Sequence, residues 1–437
     1  MLKSLPLWGK IAYGGGAAGW TLLERVILTW LFYFYITSPI EGVEALLGPM
    51  AFGFIMFGGR VIDAIADPLV ARFSDNYSSR LGRRMPFMLV GGIIYAAAFL
   101  ALFYPPVAEQ SAWNSVHLVF FLGLFYFMFT AYVCPYLALL PELARTKSDR
   151  VDLSTSKAVF TMLGAGVAML GSSILLGYTD FHTMIWIMAL IALIFLYIPA
   201  FIKEKHYAEA RPANMGLLDA VKTTFQNRPF RIYLVGSMAL WFGFNIISLN
   251  LPLYVTELLG RPEEDMAVMF AAWGTAVVAF FLINFLAKKW GLKFVMLIAM
   301  IVFVISLPLL YFMVDPFWNI PPTVLWFFSM GLAGFSIAGV LIVPDAIVAT
   351  ISDMEEKITG QRREAMYYGV QGFFLKLTIG ISTVVTGGLV EFFGRPLGVQ
   401  LTGPVAALII LLGAIFFLRY PEQEVMQASE EIQSGLE

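Results

Sequence analysis

Long apolar runs broken by short polar intervals set the pattern of this chain. Twelve stretches, at 10–36, 43–70, 86–105, 114–141, 153–178, 182–202, 229–259, 265–287, 291–313, 321–349, 364–393 and 397–419, are each about 20 or more largely apolar residues long. That is the length of helix that crosses a bilayer core at a rise of about 1.5 Å per residue. The pattern predicts an all-α membrane protein with twelve transmembrane helices. Only the turn Tyr178, Thr179, Asp180 separates the fifth stretch from the sixth, so the count rests on a break there. The first stretch follows a short polar segment with no small-residue cleavage site after it, and is expected to be a retained helix.

The longest hydrophilic interval, Lys203 to Arg228, follows the sixth stretch. The expected organisation is therefore a six-helix bundle over 1–203, a cytoplasmic central loop over 204–228, a second six-helix bundle over 229–420 and a polar cytoplasmic tail over 421–437. The bundles echo each other. Leu81 to Leu89, reading LGRRMPFML, matches Lys289 to Leu297, reading KWGLKFVML, and Pro135 to Glu142 matches Pro344 to Asp353. Weak symmetry of this kind is what a duplicated transporter leaves behind. Basic residues gather in alternate intervals: Lys3 and Lys10, Arg72 to Arg84, Arg145 to Arg150, Lys203 to Arg231, Lys288 to Lys293, Lys357 to Arg363, and Arg419. The opposite loops hold only Arg261 and Arg395. This bias places both termini in the cytoplasm of a cell with the chain in its plasma (inner) membrane.

Composition narrows the function classes. Hydrophobic residues make up 59% and charged residues 13% of 437, with a mean hydropathy of +0.79, which excludes an ordinary soluble globule. A net charge of −2 offers no polycationic surface for nucleic acid, and Cys134 alone cannot form an internal disulfide. No phosphate-binding G-x-x-x-x-G-K-[ST] loop is present, and His117, His182 and His206 are far apart. The run Gly14 to Gly19 spells G-x-G-x-x-G, but no strand precedes it, so it reads as a close-packing or kinked segment of the first helix. The sequon Asn76, Tyr77, Ser78 falls in a predicted cytoplasmic loop. No enzyme, cofactor or metal centre is expected beyond a possible sodium ion.

What remains is charge inside the spans. Asp63 and Asp67 stand four residues apart, on one helical face, where each ionised carboxylate costs about 2.5–3.5 kcal/mol to insert. Both could meet one cation, one proton or one basic partner. Glu24, Arg25, Arg60, Lys157 and Lys376 are also within spans, with the polar Thr21, Thr130, Asn245, Asn250 and Gln371. Glu24 and Arg25 point about 100° apart on a helix, so they are expected to pair with other spans rather than with each other. A static ion pair between helices is the alternative reading for Glu24, Arg25 and Arg60.

Several of these residues carry a resemblance. Gly59 to Pro68, reading GRVIDAIADP, followed by Ser74, Asp75 and Leu81 to Phe87, resembles the second-span signature of the glycoside–pentoside–hexuronide:cation symporters, the melibiose permease-like group of the major facilitator superfamily. Asp353, Thr359 to Ala365, Tyr368 to Gln371 and Lys376 resemble its loop between the tenth and eleventh spans, and Pro135 to Pro141 its fourth-span end. The resemblance implies cation binding by Asp63, Asp67 and Thr130, with Lys157 and Lys376 as charge partners that set the pH range over which the acids titrate. It also implies gate salt bridges among Arg83, Arg84, Glu142, Arg363 and Glu364. Thr21, Glu24, Arg25, Tyr132, Asn245 and Gln371 are the substrate-cavity candidates.

There are departures from that group. Ala66 stands where melibiose permease has an asparagine, and Thr21 and Val133 stand at its sugar-holding aspartates. The resemblance therefore implies cation-coupled symport, by alternating access, of a small polar solute such as a glycoside, sugar or uronate. A lysophospholipid or other amphiphile is the alternative, because the sodium-dependent lysophosphatidylcholine symporters share the second-span signature. A non-transporting receptor on the same fold is the third reading. The loss of an oxygen ligand at Ala66 makes the proton the expected coupling ion, with sodium the alternative. The remaining expected partners are the bilayer and the solute, and the chain is expected to work as a monomer.

Overall fold

The computed structural model describes residues 5–37, 45–77, 79–144, 146–202, 204–207, 222–266, 274–314, 320–359 and 364–427. Among them every regular element is helical, and an isolated bridge joins Ser79 to Gly82. The chain forms two compact units, Met1–Asn214 with Glu263–Ala267, and Met215–Pro262 with Val268–Glu437.

In the first unit, α1 (Leu7–Val26) passes through a π turn at Ile27–Leu31 into α2 (Phe32–Thr37). Then come α3 (Pro49–Asn76), α4 (Met85–Leu102), α5 (Ala112–Leu143) and α6 (Lys147–Gly166), which runs through a second π turn, Val167–Gly171, into α7 (Ser172–Leu176). The unit ends with α8 (Phe181–Tyr197), a 3-10 turn at Ile198–Phe201 and the short α9 (Glu204–Tyr207). The second unit holds α10 (Arg228–Leu253) with a π turn at Tyr254–Leu258, α11 (Gly274–Trp290), and α12 (Leu292–Ser306) with a 3-10 extension at Leu307–Met313. It closes with α13 (Pro322–Thr359), α14 (Glu364–Phe393) and α15 (Leu397–Phe417).

Among the described residues nine helices are long and apolar enough to cross a membrane. The expected stretches at 10–36, 43–70 and 265–287 are not in that set. Two of them are α1 and α3, the helices that carry Glu24, Arg25, Arg60, Asp63 and Asp67, and the third, α11, spans only 17 described residues.

Side chains start these helices where the sequence offers an acceptor. Thr146 and Asp149 form a reciprocal capping box at α6, and Asn227 accepts from the Phe230 N–H at α10. Asp180 accepts from the N–H and hydroxyl of Thr183, which holds its carboxyl below the usual range. Glycine lets α1 seat closely: a Cβ on Gly19 would meet Leu196 N at 2.7 Å and Ala192 O at 2.8 Å on α8. The run Gly14 to Gly19 is thus a packing surface.

The N-termini of α4 and α12 are capped from far along the chain. Glu204 accepts from the backbone N–H groups of Arg83 (2.7 Å), Arg84 (3.1 Å) and Met85 (2.9 Å), placing a carboxylate at the positive end of α4. Gly82 turns the chain beneath it with φ +123°, and a Cβ there would stand 2.2 Å from Glu204 Oε2. In the second unit Glu422 accepts from the Lys293 N–H at 2.9 Å. Gly291 takes φ +87° in front of α12, and a Cβ there would be 2.7 Å from Glu422 Oε1. The glycine stands two residues before a capped N–H in both units.

Candidate functional site

The charges of the first unit meet at the contact of α1, α3 and α5. Arg60 is 2% exposed and Asp63 fully buried. The Arg60 guanidinium lies 2.8 Å from Glu24 Oε1 through Nη2 and 3.5 Å from Asp63 Oδ2 through Nη1. Thr130 donates its hydroxyl to Asp63 Oδ1 at 2.8 Å. Beneath the guanidinium is the Tyr126 ring, 4.4 Å from its centroid, a cation–π contact that suits a desolvated arginine. Gly59 makes room for that ring, because a Cβ on it would meet Tyr126 at 2.8 Å. Tyr95 and Phe125 pack at 4.6 Å on one side, and Tyr95 donates to the Trp20 carbonyl at 3.1 Å.

Two carboxylates therefore share one buried guanidinium, one at hydrogen-bond distance and one further away. The Asp63 and Arg60 side chains are one helical turn apart on α3, so helix geometry brings them together. Glu24 arrives from α1 and completes the pair between helices. Arg25, half-buried, also reaches Glu24, with Nε 3.6 Å from Oε2. Glu24 thus pairs with another span, as expected, through Arg60, while the expectation that it would not pair with Arg25 is corrected: both side chains are long enough to bend back across the 100° between them.

The other expected site residues are distributed as follows. Asp67 is half-buried one turn beyond Asp63, and its carbonyl faces Cys134 Sγ at 3.9 Å. Pro68 lacks the N–H that the Ala64 carbonyl would accept within α3. Lys157 lies half-buried on α6, and Lys376 half-buried on α14 of the second unit. Tyr132 is fully buried, with its hydroxyl given to the Leu196 carbonyl at 2.7 Å. Buried polar atoms without a hydrogen-bond partner include Thr21 Oγ1, Trp20 Nε1 and Arg60 Nε in the first unit, and Trp241 Nε1, Asn245 Nδ2 and Gln371 Oε1 in the second. Such atoms in folded proteins call for a ligand, water or strain to explain them.

Of the expected gate residues, Glu142 accepts from Arg83 Nη2 at 2.9 Å and from Arg84 Nη2 at 3.1 Å, and Arg84 also donates to Ser74 at 2.7 Å. Arg363 and the side chain of Glu364 lie outside the described residues. Tyr126 and Glu204 lie outside the sequence patterns that pointed to the other residues, and Ser74 stood out only as part of the second-span signature. For Glu204 one signal existed: an acid soon after the sixth stretch, echoed by Glu422 after the twelfth.

Residues 12–419 match the family model described as MFS/sugar transport protein. Two similar proteins are a putative sulfoquinovose importer of Escherichia coli, 25% identical over 89% of this chain and 83% of its own, and a sodium-dependent lysophosphatidylcholine symporter 1-B of Danio rerio, 21% identical over 96% and 88%. The solved structure of the nucleoside transporter NupG superposes with a TM-score of 0.67 at 17% identity, covering 94% of this chain and 98% of that one, a likeness of fold. With a match that runs from α1 to the end of α15, the chain belongs to the MFS/sugar transport protein family of membrane transporters.

Proposed function

We propose that this protein is a secondary active transporter that couples movement of a small polar solute, of sugar, glycoside or uronate type, to a cation, and that the cation is the proton. The observation that carries the reading is the Glu24, Arg60, Asp63, Thr130 cluster. Glu24 has Arg60 at 2.8 Å and Arg25 at 3.6 Å, whereas the Arg60 guanidinium is 3.5 Å from Asp63, so Asp63 is the acid of the cluster that a proton or monovalent cation engages most readily. A cation arriving at Asp63 competes with the longer of the two Arg60 contacts, 3.5 Å, and leaves Arg60 with Glu24. The charge state of Asp63 thereby sets how firmly α3 is held to α1. A solute that prefers one of those arrangements is coupled to the cation by linkage, reciprocally.

Each unit by itself holds buried polar atoms without a hydrogen-bond partner, on Trp20 and Thr21 in the first and on Trp241, Asn245 and Gln371 in the second, and such groups favour a hydroxyl-rich solute over an amphiphile that cannot bond them. The relative described as a sulfoquinovose importer supports the same solute class. For sodium, the observation in favour is the Ala64 carbonyl that Pro68 leaves without its helical donor, an oxygen ligand close in sequence to both acids. The relative described as sodium-dependent supports that ion.

Uptake into proteoliposomes under imposed proton or sodium gradients, with a panel of glycosides, uronates and lysolipids, tests both choices. Accumulation of a polar solute driven by a proton gradient and abolished by a protonophore is expected. Sodium-driven uptake at clamped pH overturns the choice of ion, and accumulation of lysolipid alone overturns the choice of solute.

A further inference from the structure

The second unit holds a cavity of about 290 Å³ where α10 begins and α15 ends, lined by Arg228, Arg231, Arg419, Ile232 and Phe416. Several other basic side chains have acids beside them: Lys10 with Asp149 and Asp152, Arg83 and Arg84 with Glu142, and Arg395 with Glu257. Among the described residues no carboxylate forms an ion pair with any of these three arginines. The acids close by in the fold are engaged: Glu355 accepts from the Asn227 amide at 3.2 Å, and Glu422 from the Lys293 N–H. Arg419 lies over the Phe416 ring, 5.8 Å from its centroid.

The placement is unfavourable for cations by themselves. Arg228 and Arg231 occupy the first turn of α10, where the helix presents the positive end of its macrodipole, and an anion there is attracted by the helix end and both guanidiniums together. Three arginines are a donor set suited to phosphate. The cavity also opens onto an apolar face. Leu408, Leu411, Leu412 and Ile415 on α15, with Leu418 just past its end, are exposed at helical spacing, and Val235 is exposed one turn beyond Arg231 on α10. On membrane-spanning helices such a face meets acyl chains.

We propose that this cavity is a binding site for an anionic glycerophospholipid, with the phosphate among Arg228, Arg231 and Arg419 and an acyl chain along the exposed face of α15. A phosphate without a tail would use the arginines but not that face, so the combination selects a membrane lipid over a soluble anion.

The test is native mass spectrometry of the full chain taken from nanodiscs of equal dioleoyl phosphatidylglycerol and dioleoyl phosphatidylcholine. The wild type is expected to retain phosphatidylglycerol in preference by about tenfold or more. The triple variant Arg228→Gln, Arg231→Gln, Arg419→Gln is expected to fall to parity, and Lys288→Gln with Lys289→Gln, a basic pair elsewhere in the same unit, to keep the preference. Should the triple variant fail to fold, Arg231→Gln and Arg419→Gln, both at exposed positions, are each expected to lower the preference severalfold. Parity in the wild type, or an unchanged preference in the folded variants, overturns the proposal. So does displacement of phosphatidylglycerol by millimolar glycerol 3-phosphate, which would mark a soluble-anion site.

Discussion

At the residue scale, Asp63 carries the most consequence for the smallest change. Its carboxylate holds Thr130 and faces Arg60 from a fully buried position. Asp63→Asn keeps the shape and an oxygen for Thr130 but removes the charge. We expect it to abolish gradient-driven accumulation in proteoliposomes while the protein inserts and stays monodisperse, because removing an intramembrane charge eases insertion. The same result is expected for Asp67→Asn, and wild-type accumulation by both variants would sink the coupling role. Arg60→Met differs in kind: it leaves two buried acids without their shared guanidinium, a loss of about 3–5 kcal/mol for such clusters, read as a lower unfolding midpoint in detergent. Much of this cluster was legible beforehand, since charges within apolar runs stand out by their cost. An ion pair between helices was one reading of Glu24, Arg25 and Arg60, but which of them meet depends on how α1 and α3 are rotated against each other, and the Tyr126 ring looks in sequence like any other aromatic in a span.

At the scale of the element, the capped helix starts make two tests. Glu204→Ala uncaps α4 and should cost about 1–2 kcal/mol. Gly82→Ala should destabilise as well, because φ +123° is strained for alanine and its Cβ would run into the same carboxylate. Thermal unfolding of both variants against wild type reads the effect, and no shift in either would remove Glu204 as a cap. The start of α6 has a pH signature. The Lys10 ammonium, 2.7 Å from Asp149, and the Thr146 hydroxyl hold the Asp149 carboxyl below its ordinary value. A carboxyl lowered in the folded state contributes stability above its unfolded value, near pH 4, and loses it as pH falls through the folded value. Asp149→Asn should therefore lower the unfolding midpoint at pH 7 and cease to do so well below pH 4. An equal deficit at both pH values would refute the pairing. Helix positions were largely readable because apolar length dictates them. Helix starts were less so: the Thr146 and Asp149 box is local and spelled in order, whereas the Glu204 cap comes from far along the chain.

At the scale of the whole molecule, the gathering of basic residues in alternate intervals makes a prediction about orientation. That bias predicts both termini on the cytoplasmic side: a C-terminal green fluorescent protein fusion should fluoresce, and an alkaline phosphatase fused at the same point should be inactive; the reverse pattern would invert the assignment. The two long-range caps bear on how such a chain is made. A ribosome delivers Gly82 and the first turn of α4 long before Glu204, which appears only after α5 to α8 have been synthesised, and Glu422 likewise follows α10 to α15 of the second unit. Each of these helix starts thus lacks its carboxylate partner until the later helices of its unit have been made. In a chain that stops short of its glutamate those N–H groups lack that carboxylate, so the cap is among the last contacts its unit can make.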